Sequence, residues 1–328
     1  MAERVRLVDI ARLANVTTTT ASLALNGRSG VSNATRERVV QIARETGYAP
    51  HQGARALVRG RSGLWGAWVS GPEEIWARWL AGVLTQTTAR IVVARLPSRD
   101  RRRDTLRQAT AEARLDGCLV FDPDGEDGGL RSLWEHRVPT VVTGRRSNWF
   151  DCVEIHGAPA FERILELLSQ DGARHPVLIA SRAQLQRDDP LVRAWHRRAL
   201  GDRIPEMLVV PDDSAESGAN TVAPLLAQAS RAHSFLCLSG DRTAAGVVRE
   251  ARSRGLSVPE DVAVAGWGDA HFATWLDPEL TSVATPWEEA GIRAVLMLGR
   301  RFANPELPQM HRTLDARPVI RDSTRGAG

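Results

Sequence analysis

At 328 residues the chain is long enough for two or more domains, and an apolar share of 43% allows a sizeable core. The formal net charge of +4 is unevenly spread: residues 1–62 carry ten arginines against four acids (Glu3, Asp9, Glu37, Glu45), which leaves the remainder slightly acidic. That asymmetry favours a polyanion partner at one end and excludes a uniformly basic protein, while three scattered cysteines (Cys118, Cys152, Cys237) exclude a disulfide framework and have no metal-ligand spacing.

Every Lys/Arg position is an arginine, the better bidentate partner of phosphate and guanine. The start, MAERVRLVDIARLA, lacks an apolar signal core, and no run approaches about eighteen uninterrupted apolar residues. A cytoplasmic, nucleoid-associated protein with no membrane partner is expected.

In chain order, Arg6 to Asn26 (RLVDIARLANVTTTTASLALN) reads as two short helices joined by a tight turn. Leu7, Ile10, Ala11 and Ala14 recur at helical spacing and give the first helix one apolar stripe. Asn15 sits at the reversal, where a residue that enters the left-handed region cheaply is needed. Thr17 is the expected N-cap of the second helix, and Thr18, Thr19 and Thr20 carry hydroxyls outward from its first turn, a surface suited to phosphate oxygens and base edges. A third helix follows, with Ser32 as N-cap, Val39, Ile42 and Ala43 facing the core, and Gly47 as its stop. After Pro50 a short segment places Ala54, Leu57 and Val58 on one apolar face. A helix this short is marginal in water, and Gly53 lowers its stability by up to about 1 kcal/mol relative to Ala, so it orders when something packs on it.

From Leu64 onward short apolar runs alternate with amphipathic segments. Strands are expected at 64–70, 90–95, 117–121, 140–143, 176–180, 207–210, 235–239 and 262–266. Helices between them imply parallel sheets, arranged in two lobes. Asp122, Asp124, Glu126 and Asp127 read as a solvated loop. The histidines have no metal spacing, no glycine-rich phosphate loop follows the first strand, and no serine sits in a nucleophile elbow, so no enzyme, cofactor or metal site is expected.

Residues 6–62 resemble the DNA-binding headpiece and hinge of the lactose-repressor (LacI/GalR) family of bacterial transcription regulators. The resemblance rests on DIA at 9–11, ANVT at 14–17, ASLALNG at 21–27, VSNATRERV at 31–39, GYAP at 47–50 and ARAL at 54–57. Arg6 departs from the usual Thr cap, Asn15 from the turn Gly, and Leu23 from a common Arg. The rest is similar to the family's effector-binding and dimerisation core, itself akin to periplasmic sugar-binding proteins, through LDG at 115–117, VPTVV at 138–142, SGD at 239–241, GLSVPEDVAVAGWGD at 255–269, LTSVATPWEEAG at 280–291 and VIRDST at 319–324.

The resemblance implies a small all-α helix-turn-helix headpiece (1–49), a hinge helix or linker (50–62), and an α/β periplasmic-binding-protein-like core of two doubly wound parallel-sheet lobes (63–328). The first lobe takes about 63–155 and 287–304, the second about 156–284 and 308–324, with crossings near 153–158, 283–287 and 304–309. It further implies a repressor that binds a pseudo-palindromic double-stranded DNA operator as a homodimer. Thr18 and Thr19 would touch bases, and Thr17, Ser22, Asn26, Ser32 and Thr35 the backbone. Thr20, Arg36, Tyr48, His51 and Ala54 complete the DNA-binding set, and Leu57 of paired hinges would wedge open the operator centre. The chain ends soon after Thr324, without the heptad tail of tetrameric relatives, so a dimer is expected.

The expected effector pocket departs most from the family. Its sugar-binding carboxylates and amide fall on Gly144, Gly240 and Gly268, an arginine falls on Leu191, His156 replaces an Asp, and Ala173 replaces a His. Ser70, Trp76, Asp241, Trp267 and Asp269 remain near the expected mouth, with Arg145 and Arg193 as substitutes. Such a pocket suits a flat or apolar small-molecule effector better than a polyhydroxylated sugar. The alternative is a DNA-binding regulator or architectural protein that has lost effector response; one short pseudo-palindromic footprint marks the regulator, uniform coverage the architectural protein.

Overall fold

The computed structural model describes residues 5–25, 29–48, 62–96, 99–113, 115–123, 128–169, 175–186, 189–197, 206–228 and 233–324. The chain divides into two compact units, Met1–Leu64 and Trp65–Gly328.

The first unit contains α1 (Leu7–Leu13), α2 (Thr18–Leu25) and α3 (Asn33–Glu45). Small side chains let these helices approach closely: Ile10, Ala11, Ala14, Ala21, Ala24 and Val39 form the buried cluster. Asn15 takes φ 52° at the reversal, and the Val16 N–H donates to the Ala11 carbonyl 3.0 Å away. At the start of α1 the Asp9 carboxylate accepts the Arg6 N–H at 2.9 Å, so the third helical residue supplies half of a capping box although position 6 carries no hydroxyl. Thr17 Oγ1 accepts the Thr20 N–H at 3.1 Å, and Ser32 Oγ the Thr35 N–H at 3.2 Å. Gly47, at φ 65°, turns the chain out of α3 while the Tyr48 N–H reaches back to the Ala43 carbonyl at 2.9 Å.

The second unit holds two sheets. The first runs β11-β5-β4-β3-β1-β2, built from β1 (Leu64–Val69), β2 (Arg90–Arg95), β3 (Gly117–Phe121), β4 (Thr140–Gly144), β5 (Asp151–His156) and β11 (His311–Asp315). The second runs β7-β6-β8-β9, from β6 (His175–Ser181), β7 (Met207–Val210), β8 (His233–Cys237) and β9 (Val262–Ala265), with every pair parallel. Continuous apolar runs such as GCLVF and VAVA are buried along their whole length, as strands covered on both faces must be. A small antiparallel pair, β10 (Ser282–Ala284) with β12 (Arg317–Val319), lies where the chain passes between lobes.

The chain leaves the first sheet after His156, and returns between β10 and α12 (Trp287–Ala303). The third crossing, expected near 304–309, instead comes at Ala316, because β11 pairs with β5 and completes the first sheet before β12 joins β10. Residues 308–315 therefore belong with the first lobe. A buried ion pair holds the approach to that strand. Arg301 grips Asp151 through Nη2–Oδ1 at 2.7 Å and Nε–Oδ2 at 3.0 Å, and donates to the carbonyls of Pro305, Leu307 and Pro308.

Helix α12 crosses α4 (Glu73–Gln86) through two glycines. A Cβ on Gly82 would lie 1.9 Å from the Glu288 carbonyl oxygen, and one on Gly291 would lie 2.1 Å from that of Trp79. All three cysteines are buried and form no disulfide, and burial pushes the thiols of Cys152 and Cys237 above the usual thiol range. Among the described residues no helix is long and apolar enough to cross a membrane, and no group of His, Cys, Asp or Glu is placed to hold a metal ion.

Candidate functional site: a threonine-rich helix turn and an interlobe cleft

The first turn of α2 presents Thr17, Thr18 and Thr19 to solvent, with Thr20 half-buried. Thr17 and Thr20 join their hydroxyls at 2.9 Å, which leaves Thr18 and Thr19 as the outward hydroxyls of the turn. Ser32 and Thr35 pair in the same way at 2.8 Å at the head of α3. Ser32 is exposed, while Ser22, Thr35, Arg36 and Tyr48 are half-buried. Asn26, His51, Ala54 and Leu57 lie outside the described residues.

Between the lobes of the second unit lies a cleft of about 930 Å³, which falls in the range of small-molecule sites. The strand C-termini of both sheets open into it, the usual location of ligand sites in parallel α/β folds. Phe121 and Trp287 line it from the first lobe, their rings 5.0 Å apart and edge-on, with Trp79 behind Phe121 at 5.1 Å. From the second lobe comes Trp267, edge-on to Phe161 at 6.4 Å. Gly157 leaves room for that indole, since a Cβ there would sit 3.0 Å from its ring.

Of the residues expected at the mouth, Ser70, Arg145 and Trp267 line the cleft. Ser70 donates to the carbonyls of Phe121 and Asp122 and thereby fixes the end of β3. Trp76, Arg193, Asp241 and Asp269 are not among the lining residues. Trp76 packs into the first-lobe core and Arg193 is exposed on α9 (Pro190–Arg197). Asp241 is buried framework: it accepts the Ser282 hydroxyl at 2.5 Å and the Ala270 N–H at 2.6 Å, and burial raises its carboxyl above the usual range. Asp269 is committed to Arg321, whose Nη2 lies 2.6 Å from its Oδ1.

Gly144, Gly240 and Gly268 take φ 104°, 138° and 125°, conformations that L side chains rarely adopt. The positions expected to have lost a sugar clamp therefore carry backbone that disfavours any side chain. Three residues that sequence reasoning did not combine line the cleft, and each carries a buried polar atom with no hydrogen-bond partner among the described residues: Arg145 Nε, Ser239 Oγ and Thr285 Oγ1.

Two contacts tie the lobes together beside the cleft. Arg78, on α4, donates to the Gly268 carbonyl at 2.6 Å, and Glu74 pairs with Arg242 of α11 (Asp241–Ser253) at 2.8 Å. Burial raises the Glu74 carboxyl while Arg242 pulls it back.

Residues 6–51 match the description "Bacterial regulatory proteins, lacI family", and residues 165–324 match "Periplasmic binding protein-like domain". A ribose operon repressor from Haemophilus influenzae is 27% identical, over 96% of this chain and 97% of its own length. The lac repressor dimer bound to operator and the anti-inducer ONPF shares the fold, with a TM-score of 0.83 at 23% identity, covering 98% of this chain and 99% of that one. A transcriptional regulator CelR–cellobiose complex is similar at a TM-score of 0.65 and 26% identity, over 98% and 100% of the two chains. The chain thus joins a DNA-binding domain of the kind found in bacterial regulatory proteins of the lacI family to a periplasmic binding protein-like domain.

Proposed function

We infer that this DNA-binding transcriptional regulator is a cytoplasmic, non-enzymatic repressor that binds a pseudo-palindromic operator as a homodimer and responds to a small molecule in the interlobe cleft. The carrying observation is the first turn of α2, where a Thr17 cap leaves the Thr18 and Thr19 hydroxyls exposed at a helix N-terminus. A helix so capped carries partial positive charge and donors, and its outward hydroxyls suit base edges in the major groove. Residues 1–49 serve as headpiece and 50–62 as hinge, with Leu57 the minor-groove wedge; unstacking a base step costs a few kcal/mol, offset by the contacts that bent DNA gains.

The dimer reading is supported by apolar surface that a second copy would cover. Edge strand β2 exposes Val92 and Val93 at 47% and 43%, and Trp275 is 79% exposed. The relative seen on operator is likewise a dimer. Ligand closure of the cleft shifts the two lobes relative to one another, and because binding coupling is reciprocal, effector and operator change each other's affinity by the same factor.

Selection of bound duplexes from a random pool, followed by footprinting at physiological salt, tests the reading. It expects two half-sites about one helical turn apart. Uniform coverage with no preferred sequence refutes it. Leu57→Ala should weaken specific binding far more than non-specific binding; equal losses remove the wedge.

A further inference from the structure

Resting on the effector reading above, we propose that the cleft takes a flat aromatic zwitterion of the amino-acid type, its carboxylate on Arg145 and its ammonium toward Glu154. Arg145 follows β4, and its Nε is buried without a partner, although a guanidinium is a planar fork of donors that binds a carboxylate bidentately. Leaving a buried donor on a cation unmatched is costly, which marks the group as reserved for a bound molecule.

Glu154 supplies the opposite charge from the next strand. It lies across the β4–β5 ladder from Gly144, one residue from Arg145, is half-buried, and lines the same cleft. Its carboxylate makes no ion pair or hydrogen bond among the described residues, so both Arg145 Nε and Glu154 line the cleft without a protein partner there. A ligand carrying both an acid and an amine satisfies both; a simple anion leaves Glu154 opposed to it.

The hydroxyls of Ser239 and Thr285 complete the polar set. Each belongs to a residue at most 7% exposed, each lacks a partner, and each can donate or accept. They come from the second lobe and from the crossing before α12, so a ligand bridging them to Arg145 touches both lobes. The ligand's body then meets Trp267, Phe121, Trp287, Ile155, Leu191 and Leu238. Of the other carboxylates in the lining, Asp212 accepts from Ser214 and Ser217, and Asp189 from the Leu191 N–H at 2.8 Å, while Glu73, Asp122 and Asp213 add negative charge to the same cleft.

The test is calorimetry on the full chain without DNA, using L-phenylalanine, 3-phenylpropionate (no amine), 2-phenylethylamine (no acid) and D-ribose. L-phenylalanine should bind at least about tenfold more tightly than either fragment, since each fragment leaves one charged group of the cleft without its hydrogen-bonding partner. Arg145→Gln should erase its advantage over the amine, and Glu154→Gln its advantage over the acid. Equal binding of the three aromatics, tighter binding of ribose, no binding of any aromatic, or indifference to both substitutions overturns it. None of these outcomes touches the footprint, so a wrong ligand class and a wrong regulator reading are separable.

Discussion

Breaking the Asp151–Arg301 pair should cost more than any other single polar contact in the first lobe. The Asp151 side chain is 1% exposed and Arg301 16%, with two short, parallel hydrogen bonds between them. Asp151 Oδ1 also accepts the Met310 N–H at 2.8 Å, so one carboxylate orients both the arginine and the strand that follows. Asp151→Asn removes the negative charge and leaves the cation facing a dipole; breaking such a pair costs about 3–5 kcal/mol when fully buried, and about 3 is expected here because Arg301 reaches solvent at one edge. For a domain of this size that is a fall in Tm of roughly 6–12 °C. Arg301→Met should cost about as much, as it also frees the carbonyls of Pro305, Leu307 and Pro308. The double variant should cost clearly less than the sum of the singles, since neither charge is then left unpaired. Urea titrations of the four proteins measure this, and strict additivity would refute the coupling.

At the helix crossing, Gly291→Ala forces a methyl to within 2.1 Å of the Trp79 carbonyl oxygen, and a loss of about 1–3 kcal/mol or more is expected by denaturant titration; an unchanged midpoint would mean that the helices separate freely. Thr17→Ala should destabilise the headpiece by about 1 kcal/mol, read by thermal melting of that unit, with Thr18→Ala as a control that leaves the melt alone while weakening operator binding. Asp241 has its carboxyl raised by burial, so between the usual carboxylate pKa and the raised one the native state binds more protons than the unfolded chain. Its contribution is present below the usual carboxylate pKa and is lost as pH rises through the raised value. Asp241→Asn should therefore flatten the plot of Tm against pH in that window while lowering Tm overall, since an amide has one oxygen where the Ser282 hydroxyl and the Ala270 N–H meet two; an unaltered slope argues against a raised Asp241.

The strands legible in the sequence were those buried on both faces. GCLVF, PVLIA and VAVAG announce themselves because a covered parallel strand needs an unbroken apolar run. HRTLD at 311–315 gave no such signal: it is an edge strand with four of five side chains exposed, and its place beside β5 is fixed by the backbone ladder and the Arg301 clamp. An exposed edge strand of this kind leaves the apolar pattern to end the first lobe too early, near 304–309. RPV at 317–319 hides behind its proline in the same way. In the cleft, the family resemblance puts Arg145, Trp267 and Ser70 near the mouth, and all three line it. Ser239, Thr285 and Glu154 were not legible, because only strand order brings the ends of β4, β5 and β8 and the crossing before α12 to one place. Asp241 and Asp269 show the converse error: a carboxylate beside glycines suggests ligand chemistry, yet both are spent on holding loops.

The burial of Cys118, Cys152 and Cys237 has a practical side for measuring motion. With its native thiols shielded, the protein accepts surface cysteines as unique attachment points for spin labels or fluorophores without first being stripped of its own. A label on each lobe outside the cleft lining, for instance at exposed Glu289 and Arg193, turns lobe separation into a distance that can be followed as ligand or operator is added.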